Sequence, residues 1–147
     1  MSVLGKLIAA RYRDGRVLKG WTADFNPQRP TFHLKETEES PVRVVRLPDL
    51  KAVFFIRTPG GNSSHEEQKD FELRNTPEKQ VWVKFKDGEE LAGFSSAMGA
   101  GSGFYITPPD PDSNMERAYV VRSAVSQVLQ GTAAKQAAEN YRSRAAE

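Results

Sequence analysis

The sequence predicts a mainly β protein, built as a tandem pair of small five-stranded β-barrels with a C-terminal helix. One pattern of short alternating strands occurs twice, each copy has an Asp-Gly turn at the same place, and the chain ends in a segment rich in Ala, Gln, Glu and Arg. Five short strands in roughly 50 residues bury little as a flat sheet, so each copy is expected to curl into a closed barrel.

The internal repeat defines the expected domain organisation. Residues 10–21 align with residues 83–94 without a gap, and later apolar segments align in the same order. Self-similarity of this kind indicates two copies of one structural unit. The sequence therefore predicts a first barrel over residues 1–57, a linker over 58–77, a second barrel over 78–130 and a helical tail over 131–147.

The two Asp-Gly pairs predict the hairpins that open each copy. Asp14-Gly15 and Asp87-Gly88 each separate two short runs of alternating apolar and polar residues. A type I′ turn needs positive φ at both central residues, which Asp and Gly tolerate. Alternation places one face of each strand in the core and leaves the other, including Trp82, largely exposed to solvent.

The remaining elements follow from turn residues and capping signals. Gly20 and Gly93 come after the hairpins and indicate a bulge or a sharp bend. Ser64 with Glu67 fits a capping box, which predicts a short helix in the linker. The other elements expected are third strands over 32–34 and 104–106, fourth strands over 42–47 and 117–122, fifth strands over 50–56 and 125–129, and a helix over 132–147.

Composition excludes several classes of protein. The 147-residue chain is 38% hydrophobic, has a formal net charge of +2 and contains no cysteine. Without cysteine there are no disulfides, thiolate zinc sites or cysteine nucleophiles, and a reducing compartment fits. No apolar stretch approaches the length that crosses a bilayer, and the N-terminus does not read as a signal peptide. We therefore expect a cytoplasmic protein without a membrane partner.

Three motifs resemble chemical sites in part. Residues 110–116 begin like a calcium loop, but Met115 stands where the loop needs Gly and Val121 where it needs a closing Glu. The glycine-rich residues 99–103 lead into a strand and lack the Lys of a phosphate loop. His33 and His65 have no recurring partner residues. The sequence thus predicts no catalytic residues, no metal and no cofactor, and the protein is expected not to be an enzyme.

A basic cluster around the first hairpin is the best candidate binding site. Its cations suit phosphate groups, and one aromatic ring suits stacking with a base, as single-stranded nucleic acids and nucleotide messengers require. The alternative is an ordinary solvent-exposed strand face with Trp21 packed in the core. The candidate residues are Arg11, Arg13, Arg16, Lys19, Trp21 and Arg29.

Each half resembles the Sm-like and SH3-like small barrels. The resemblance rests on an apolar-x-apolar-x-Asp-Gly pattern followed by Leu-x-Gly, Phe-x-Leu and a late Val-Val-Arg run. In Sm proteins a late Arg-Gly helps to hold a base of bound RNA, so the resemblance implies nucleic-acid binding. The corresponding residues 45–49 and 121–124 contain Arg46 and Arg122, and neither arginine is followed by Gly.

Nearly the whole chain also resembles a bacterial family of unknown function that often accompanies PilZ and other signalling domains. The residues that carry this resemblance are Asp-Gly-x-Val-Leu-x-Gly and residues 26–30 and 109–114. The resemblance implies regulation without a defined chemistry. PilZ domains bind cyclic di-GMP through Arg-x-x-x-Arg and Asp/Asn-x-Ser-x-x-Gly segments, and this chain lacks that pair.

Three hypotheses about function follow. The leading one is a non-enzymatic regulatory or adaptor protein that binds a protein or a small ligand, in bacterial signalling. The alternatives are an Sm-like protein that binds RNA or single-stranded DNA, and an effector of the cyclic di-GMP type. Exposed strand edges also allow modules or chains to pair with one another.

Overall fold

The structure is a computed structural model that describes residues 5–61, 65–99 and 101–145. The first repeat contains β1 (Lys6–Tyr12), β2 (Val17–Thr22), β3 (Thr31–Leu34), β4 (Arg43–Arg46) and β5 (Leu50–Ile56), with a 3₁₀ turn at Leu47–Asp49. The second repeat contains β6 (Lys79–Phe85), β7 (Glu90–Ser95), β8 (Gly103–Ile106), β9 (Met115–Val121) and β10 (Val125–Gln130), with a 3₁₀ turn at Arg122–Ala124. The helix α1 (Thr132–Ala145) ends the described chain.

The strands form three sheets, which confirms the mainly β prediction. The largest has the order β2-β1-β5-β9-β8, a second has the order β10-β6-β7, and β3 pairs with β4. Single bridges connect these sheets, between Trp21 and Lys35 in the first repeat and between Phe94 and Thr107 in the second. Over the described residues the sheets stay open, so the predicted closed barrels are not found.

The two repeats share one pattern of neighbouring strands and are joined edge to edge. In each, the first strand lies between the second and the fifth, and the third pairs with the fourth. The fifth strand of the first repeat, β5, pairs antiparallel with the fourth strand of the second, β9, and Ala52 faces Val120. We call this β5–β9 junction the seam.

The Asp-Gly hairpins are present in both repeats, but the predicted type I′ turn is wrong. Gly15 and Gly88 have φ angles of 99° and 96°, and in the described part of the chain positive φ occurs only at glycines. Each glycine amide donates to the carbonyl three residues earlier, at 3.1 Å and 3.0 Å. Asp14 and Asp87 avoid positive φ because their side chains instead accept the backbone amide two residues later.

Gly20 allows two strands to approach closely, and it does not form the predicted bulge. The β1–β2 register continues unbroken through this position. A Cβ atom at Gly20 would lie 2.4 Å from the carbonyl oxygen of Lys35, the residue that bridges to Trp21. The missing side chain therefore permits the bridge between β2 and the segment after β3.

Each repeat has its own apolar cluster, and each cluster takes something from the other repeat. The first contains Ile8, Ala10, Phe32, Leu34, Val45, Leu47, Leu50, Val53 and Phe55, together with Tyr119 and Val121 from β9. The second contains Val81, Val83, Phe85, Leu91, Phe104, Ile106, Met115, Ala118, Val120 and Ala124, together with Ala52 from β5. The seam is thus continuous with both cores.

The helix α1 corrects the prediction that the Trp82 face is exposed. Trp82 is fully buried, its ring centre lies 5.6 Å from that of Tyr141, and its Nε1 donates to Glu90 at 3.1 Å. Ala134 and Ala138 are buried in the same cluster. Small alanines let the helix approach the sheet closely and cover this face. Among the described residues there is no helix with the length and apolarity to cross a membrane.

The linker is extended where a short helix was predicted. Ser64 lies outside the described residues, and residues 65–70 have no helical turn. The chain next makes a 3₁₀ turn at Phe71–Leu73, where Asp70 accepts the amide of Glu72 at 3.0 Å. Asp110 explains the extended course, because its buried carboxylate binds His65 Nε2 and the amide of Gln68, each at 2.8 Å.

Candidate functional site

The predicted basic residues do not form one surface. Arg11 and Lys19 line a cleft between the outer face of the first repeat, the linker and residues 113–115 of the second repeat. Arg29 lines a different groove at the seam, and Arg13 lines a third, smaller pocket. The hairpin brings Arg11 and Lys19 together, as expected for neighbouring strands, and it separates them from the other cations.

Arg11 belongs to an ion cluster that joins the two repeats. Its Nη2 donates to Glu89 at 3.0 Å, and Lys51, whose side chain is only 6% exposed, donates to Asp87 at 2.6 Å and also contacts Glu89. The hydrogen bond from Lys51 and the amide of Glu89 hold the pKa of Asp87 below its usual value. The second hairpin is therefore fastened electrostatically to the first repeat.

The other members of the basic set have local partners. Arg16 binds Asp14 at 2.8 Å and stacks over Tyr12 at 4.4 Å. Lys19 Nζ donates to the carbonyl of Pro59 at 2.8 Å. Trp21 is half-buried against the cluster formed by Leu7, Ala9 and Ile56. Through these contacts the side chains stabilise the first repeat and attach the linker to it.

The candidate site with the most apolar lining is a groove at the seam. It has a volume of about 610 Å³, and both repeats contribute to it. Its apolar lining comes from three prolines, Leu47 and Val121, and none of the described residues that line it is acidic. The lining residues are Pro27, Gln28, Arg29, Pro30, Leu47, Pro48, Gly101, Ser102, Val121, Arg122 and Ser123. We call this the seam groove.

The duplication explains why the seam groove has matching walls. Each repeat contributes the loop after its second strand and the 3₁₀ turn after its fourth. Pairing of β5 with β9 brings these elements of the two repeats together. Ser102 Oγ then donates to the carbonyl of Pro27 at 3.0 Å and lies 2.6 Å from the hydroxyl of Tyr119, which holds the two loops in contact.

Arg122 is the fixed cation of the seam groove. Its Nη2 donates to the carbonyls of Met98 and Gly99 at 3.2 Å and 2.6 Å, and its guanidinium carbon lies 5.2 Å from the ring centre of Phe104. Its Nε atom is buried and has no hydrogen-bond partner among the described residues. Arg29, which is exposed, supplies a second positive charge to the same groove.

Positive charge continues beyond one end of the groove. Ser123 lines the groove, and its hydroxyl lies 3.4 Å from Arg13 Nη1. Arg13 in turn lines a pocket of about 270 Å³ with Lys51 and Lys86. Asp87 also lines this second pocket and is paired with Lys51. Of the predicted set, Arg29 therefore lines the groove, and Arg13 lies next to it through Ser123.

The weaker motifs of the sequence serve the fold. Burial opposes ionisation of Asp110, yet hydrogen bonds from the amides of Gln68 and Asp112 and from His65 lower its pKa. The carbonyls of Met98 and Gly99 face Arg122, so this part of the glycine-rich loop presents acceptors. His33 is exposed and lies 2.6 Å from Asp24. The described residues contain no cluster of three His, Cys, Asp or Glu side chains able to hold a metal.

The structure corrects the alignment of the two late arginines. Val45 pairs with Phe32 and Val120 pairs with Phe104, so Val45 and Val120 are equivalent. The counterpart of Arg122 in the first repeat is then Leu47, and Arg46 corresponds to Val121. Sequence reasoning missed Leu47, Pro48 and Val121 as groove residues. The signal available was the repeat itself, which marks the same loop and turn in each copy.

Comparisons with other proteins give a family and no individual relative. Neither the curated proteins nor the solved structures include a chain that matches this one. Residues 5–131, which contain all ten strands and the seam groove, match the pattern of one family. The chain therefore belongs to DUF6982, a family of unknown function.

Proposed function

We propose that this chain is a non-enzymatic regulatory or adaptor protein that binds an anionic, partly apolar ligand in the seam groove. The ligand is a segment of a protein partner or a small regulatory molecule. One observation carries the proposal: the groove has an apolar lining, two arginines and no acidic residue. Apolar concavities with a few placed polar groups are the usual form of binding sites.

The two arginines would have different parts in recognition. Arg122 is held by two carbonyls and an aromatic ring, so its charge is preorganised and costs little to order on binding. Arg29 is exposed and is free to close over a ligand. The prolines and Leu47 would remove apolar ligand surface from water. The groove's volume of about 610 Å³ suits a small ligand or a few residues of a peptide.

We also interpret each repeat as an open variant of the small Sm-like or SH3-like β-barrels. The shared strand order supports this interpretation, as does the 3₁₀ turn between the fourth and fifth strands of each repeat. The resemblance to a family that accompanies PilZ domains supports a place in bacterial signalling, and the lack of cysteine fits the cytoplasm.

Binding titrations with matched arginine variants test the proposal. The probes are an acidic peptide with an aromatic residue, cyclic di-GMP and a short single-stranded RNA, each followed by calorimetry. We expect Arg29→Gln to weaken binding of the recognised probe by about tenfold or more, because a charge-assisted contact is lost. Arg16→Gln is the control, since Arg16 lies on the hairpin and pairs locally with Asp14.

The outcomes separate the groove from the hairpin. Weakening by Arg29→Gln and Arg122→Gln with no effect of Arg16→Gln supports the groove. If only Arg16→Gln weakens binding, the site is the basic hairpin and the proposal fails. Arg122 also holds its loop, so Arg122→Gln could weaken binding by lowering stability. If it does lower stability, the effect of Arg29→Gln alone tests the groove. Saturable binding of cyclic di-GMP alone would identify the small ligand as a cyclic dinucleotide.

Nucleic-acid binding is the second candidate function. The basic track from the groove through Ser123 to Arg13 and Lys86 favours it, because a strand's phosphates require cations spaced along a path. Affinity for RNA should then fall steeply with salt, and Lys86→Gln should reduce that slope. RNA affinity that is independent of salt, or unchanged by Lys86→Gln, would exclude this track as a nucleic-acid site.

A further inference from the structure

Among the described residues, two strand edges, those of β4 and β10, have neither a paired strand nor a bridge beside them. Within the chain, the fifth strand of the first repeat pairs with the fourth strand of the second. The complementary pair is the fourth strand of the first repeat, β4, and the fifth strand of the second, β10. Over the described residues β4 pairs only with β3, and β10 only with β6. β4 and β10 therefore each present one of the two strand edges that a contact like the seam requires.

The free edge at β4 carries apolar side chains that its counterpart buries. Val44 is equivalent to Tyr119, because Val45 and Val120 occupy matching positions opposite Phe32 and Phe104. Val44 is 62% exposed, whereas Tyr119 is 4% exposed and lies in the first repeat's core. Val42, just before β4, is 54% exposed. Exposed valines on an unpaired edge indicate a covered surface in an assembly.

The backbone at both edges has groups directed outward. Hydrogen-bonded pairs alternate along an antiparallel ladder. Leu47 N donates to Pro30 O at 2.8 Å, so the amides of Val44 and Arg46 point away from β3. Gly131 N donates to Gln80 O at 3.0 Å, so the amides of Val128 and Gln130 point away from β6. The helix α1 covers one face of this sheet through Leu129 and leaves those amides unused.

Charge favours pairing of β4 with β10 over pairing of β4 with itself. Two copies of β4 would bring Arg43 and Arg46 of both chains to one junction, where Glu36 offsets only Arg43, and like charges opposite each other destabilise a sheet. β10 contains no charged residue. β10 corresponds to β5, which pairs at the seam with a fourth strand, β9. β10 therefore presents the same kind of edge to a fourth strand.

We propose that the chain assembles head to tail with further copies of itself, β4 of one chain pairing antiparallel with β10 of the next. This contact between two chains has the same strand pairing as the seam within one chain. Because its two halves are different surfaces, the assembly continues until it closes as a ring or extends as a filament. This inference is independent of the ligand proposed for the seam groove.

Sedimentation velocity over a range of concentrations tests the assembly. The native chain should show a mass that rises above one chain with concentration. Val44→Lys should sediment as a single chain, because an edge lysine blocks strand pairing. Val17→Lys is the matched control: Val17 is 47% exposed but lies on β2, away from both edges, so this variant should assemble as the native chain does.

Substitutions on β10 test the direction of pairing. Gln127 is exposed on β10, so Gln127→Lys should weaken assembly against the arginines of β4, and Gln127→Glu should strengthen it. Mixing Val44→Lys with Gln127→Lys should give a complex of two chains and nothing larger, since each variant keeps one competent edge. Circular dichroism of each variant separates unfolding from dissociation.

Several results would overturn the proposal. It fails if the native chain keeps the mass of one chain at every concentration. It also fails if Val44→Lys assembles as well as Val17→Lys does. Equal assembly of Gln127→Lys and Gln127→Glu, with loss only in Val44→Lys, would show that β4 pairs with another β4.

Discussion

The fifth strands of the two repeats, β5 and β10, occupy equivalent positions and have different surroundings. β5 lies between β1 and β9, and of its residues only Phe54 is more than slightly exposed. In the described part of the chain β10 pairs with β6 alone, and none of its residues is fully buried. Equivalent strands of the two repeats are therefore buried or exposed according to whether another strand packs beside them. Because pairing with β9 buries β5, the seam is a part of the protein core.

The outer faces of the first strands differ in the same way. Ala9 in β1 and Trp82 in β6 are equivalent, since they face Lys19 and Ala92 in the matching hairpins. The first repeat covers this face with side chains such as Trp21 and Phe54. The second repeat instead places a large indole there and covers it with α1. Each repeat thus places one indole on this face from a different strand: the half-buried Trp21 of β2 in the first repeat and the fully buried Trp82 of β6 in the second.

The largest expected effect is loss of the second repeat's indole. Trp82→Ala should lower the free energy of unfolding by about 3 to 5 kcal/mol, because Trp82 is fully buried and leaves a cavity beneath α1. Trp21→Ala is the matched control and should cost clearly less, since Trp21 is half-buried. Urea unfolding followed by circular dichroism measures both. Equal losses would contradict the view that α1 seals the second repeat.

The next effect concerns the ions at the seam. Lys51→Met should cost about 2 kcal/mol of unfolding free energy, because Asp87 and Glu89 lose a charged hydrogen-bond donor. The equivalent residue in β10 is Ser126, which is exposed and has no such part in a seam. Lys86→Met, also a loss of one cation, should change stability by less than about 0.5 kcal/mol. A similar cost for both variants would show that the ion cluster does not fasten the repeats.

The sequence predicted the strands and hairpins better than it predicted which segments pack over them. The repeat placed both hairpins and the late strands, because alternation and Asp-Gly turns are local properties. It left Trp82 exposed, because the helix that covers it comes more than forty residues later and shows only a weak alanine face. Short-range periodicity does not report which distant segment lies on a strand.

The candidate site was harder to predict for the same reason. The basic residues were visible as a cluster in sequence, yet Arg11 faces Glu89 and Lys19 faces Pro59, each from a distant segment. The seam groove depends on β5 pairing with β9 across the repeats, and no local pattern specifies that pairing. Of the predicted residues, only Arg29 lines the seam groove.

Acid should weaken the seam in a defined direction. The pKa of Asp87 is lowered by its hydrogen bonds to Lys51 and the Glu89 amide, so its ionised form stabilises the folded state. That stabilisation is complete well above the ordinary aspartate pKa of about 3.9 and is lost as the pH falls through the lower folded-state value. Asp87→Asn should therefore flatten the decline in stability measured by urea unfolding below about pH 4. Asp14→Asn is the control, because Asp14 occupies the equivalent turn and its pKa is lowered by Arg16 of the same exposed hairpin instead of by Lys51. An identical pH profile for both variants would contradict the role of Lys51.

The smallest effect tests whether the two hairpins are the same structure. Gly15 and Gly88 have φ angles of 99° and 96°, and a Cβ atom at either would meet no atom within 4 Å. Only backbone strain then opposes Gly15→Ala and Gly88→Ala, so each should cost about 1 kcal/mol in urea unfolding, and the two costs should agree. Asn tolerates positive φ better than Ala, so Gly15→Asn and Gly88→Asn should recover part of the loss. A much larger cost at Gly88 would mean that its hairpin is constrained by the ions at the seam, because Asp87 and Glu89 on either side of Gly88 bind Lys51 of the first repeat.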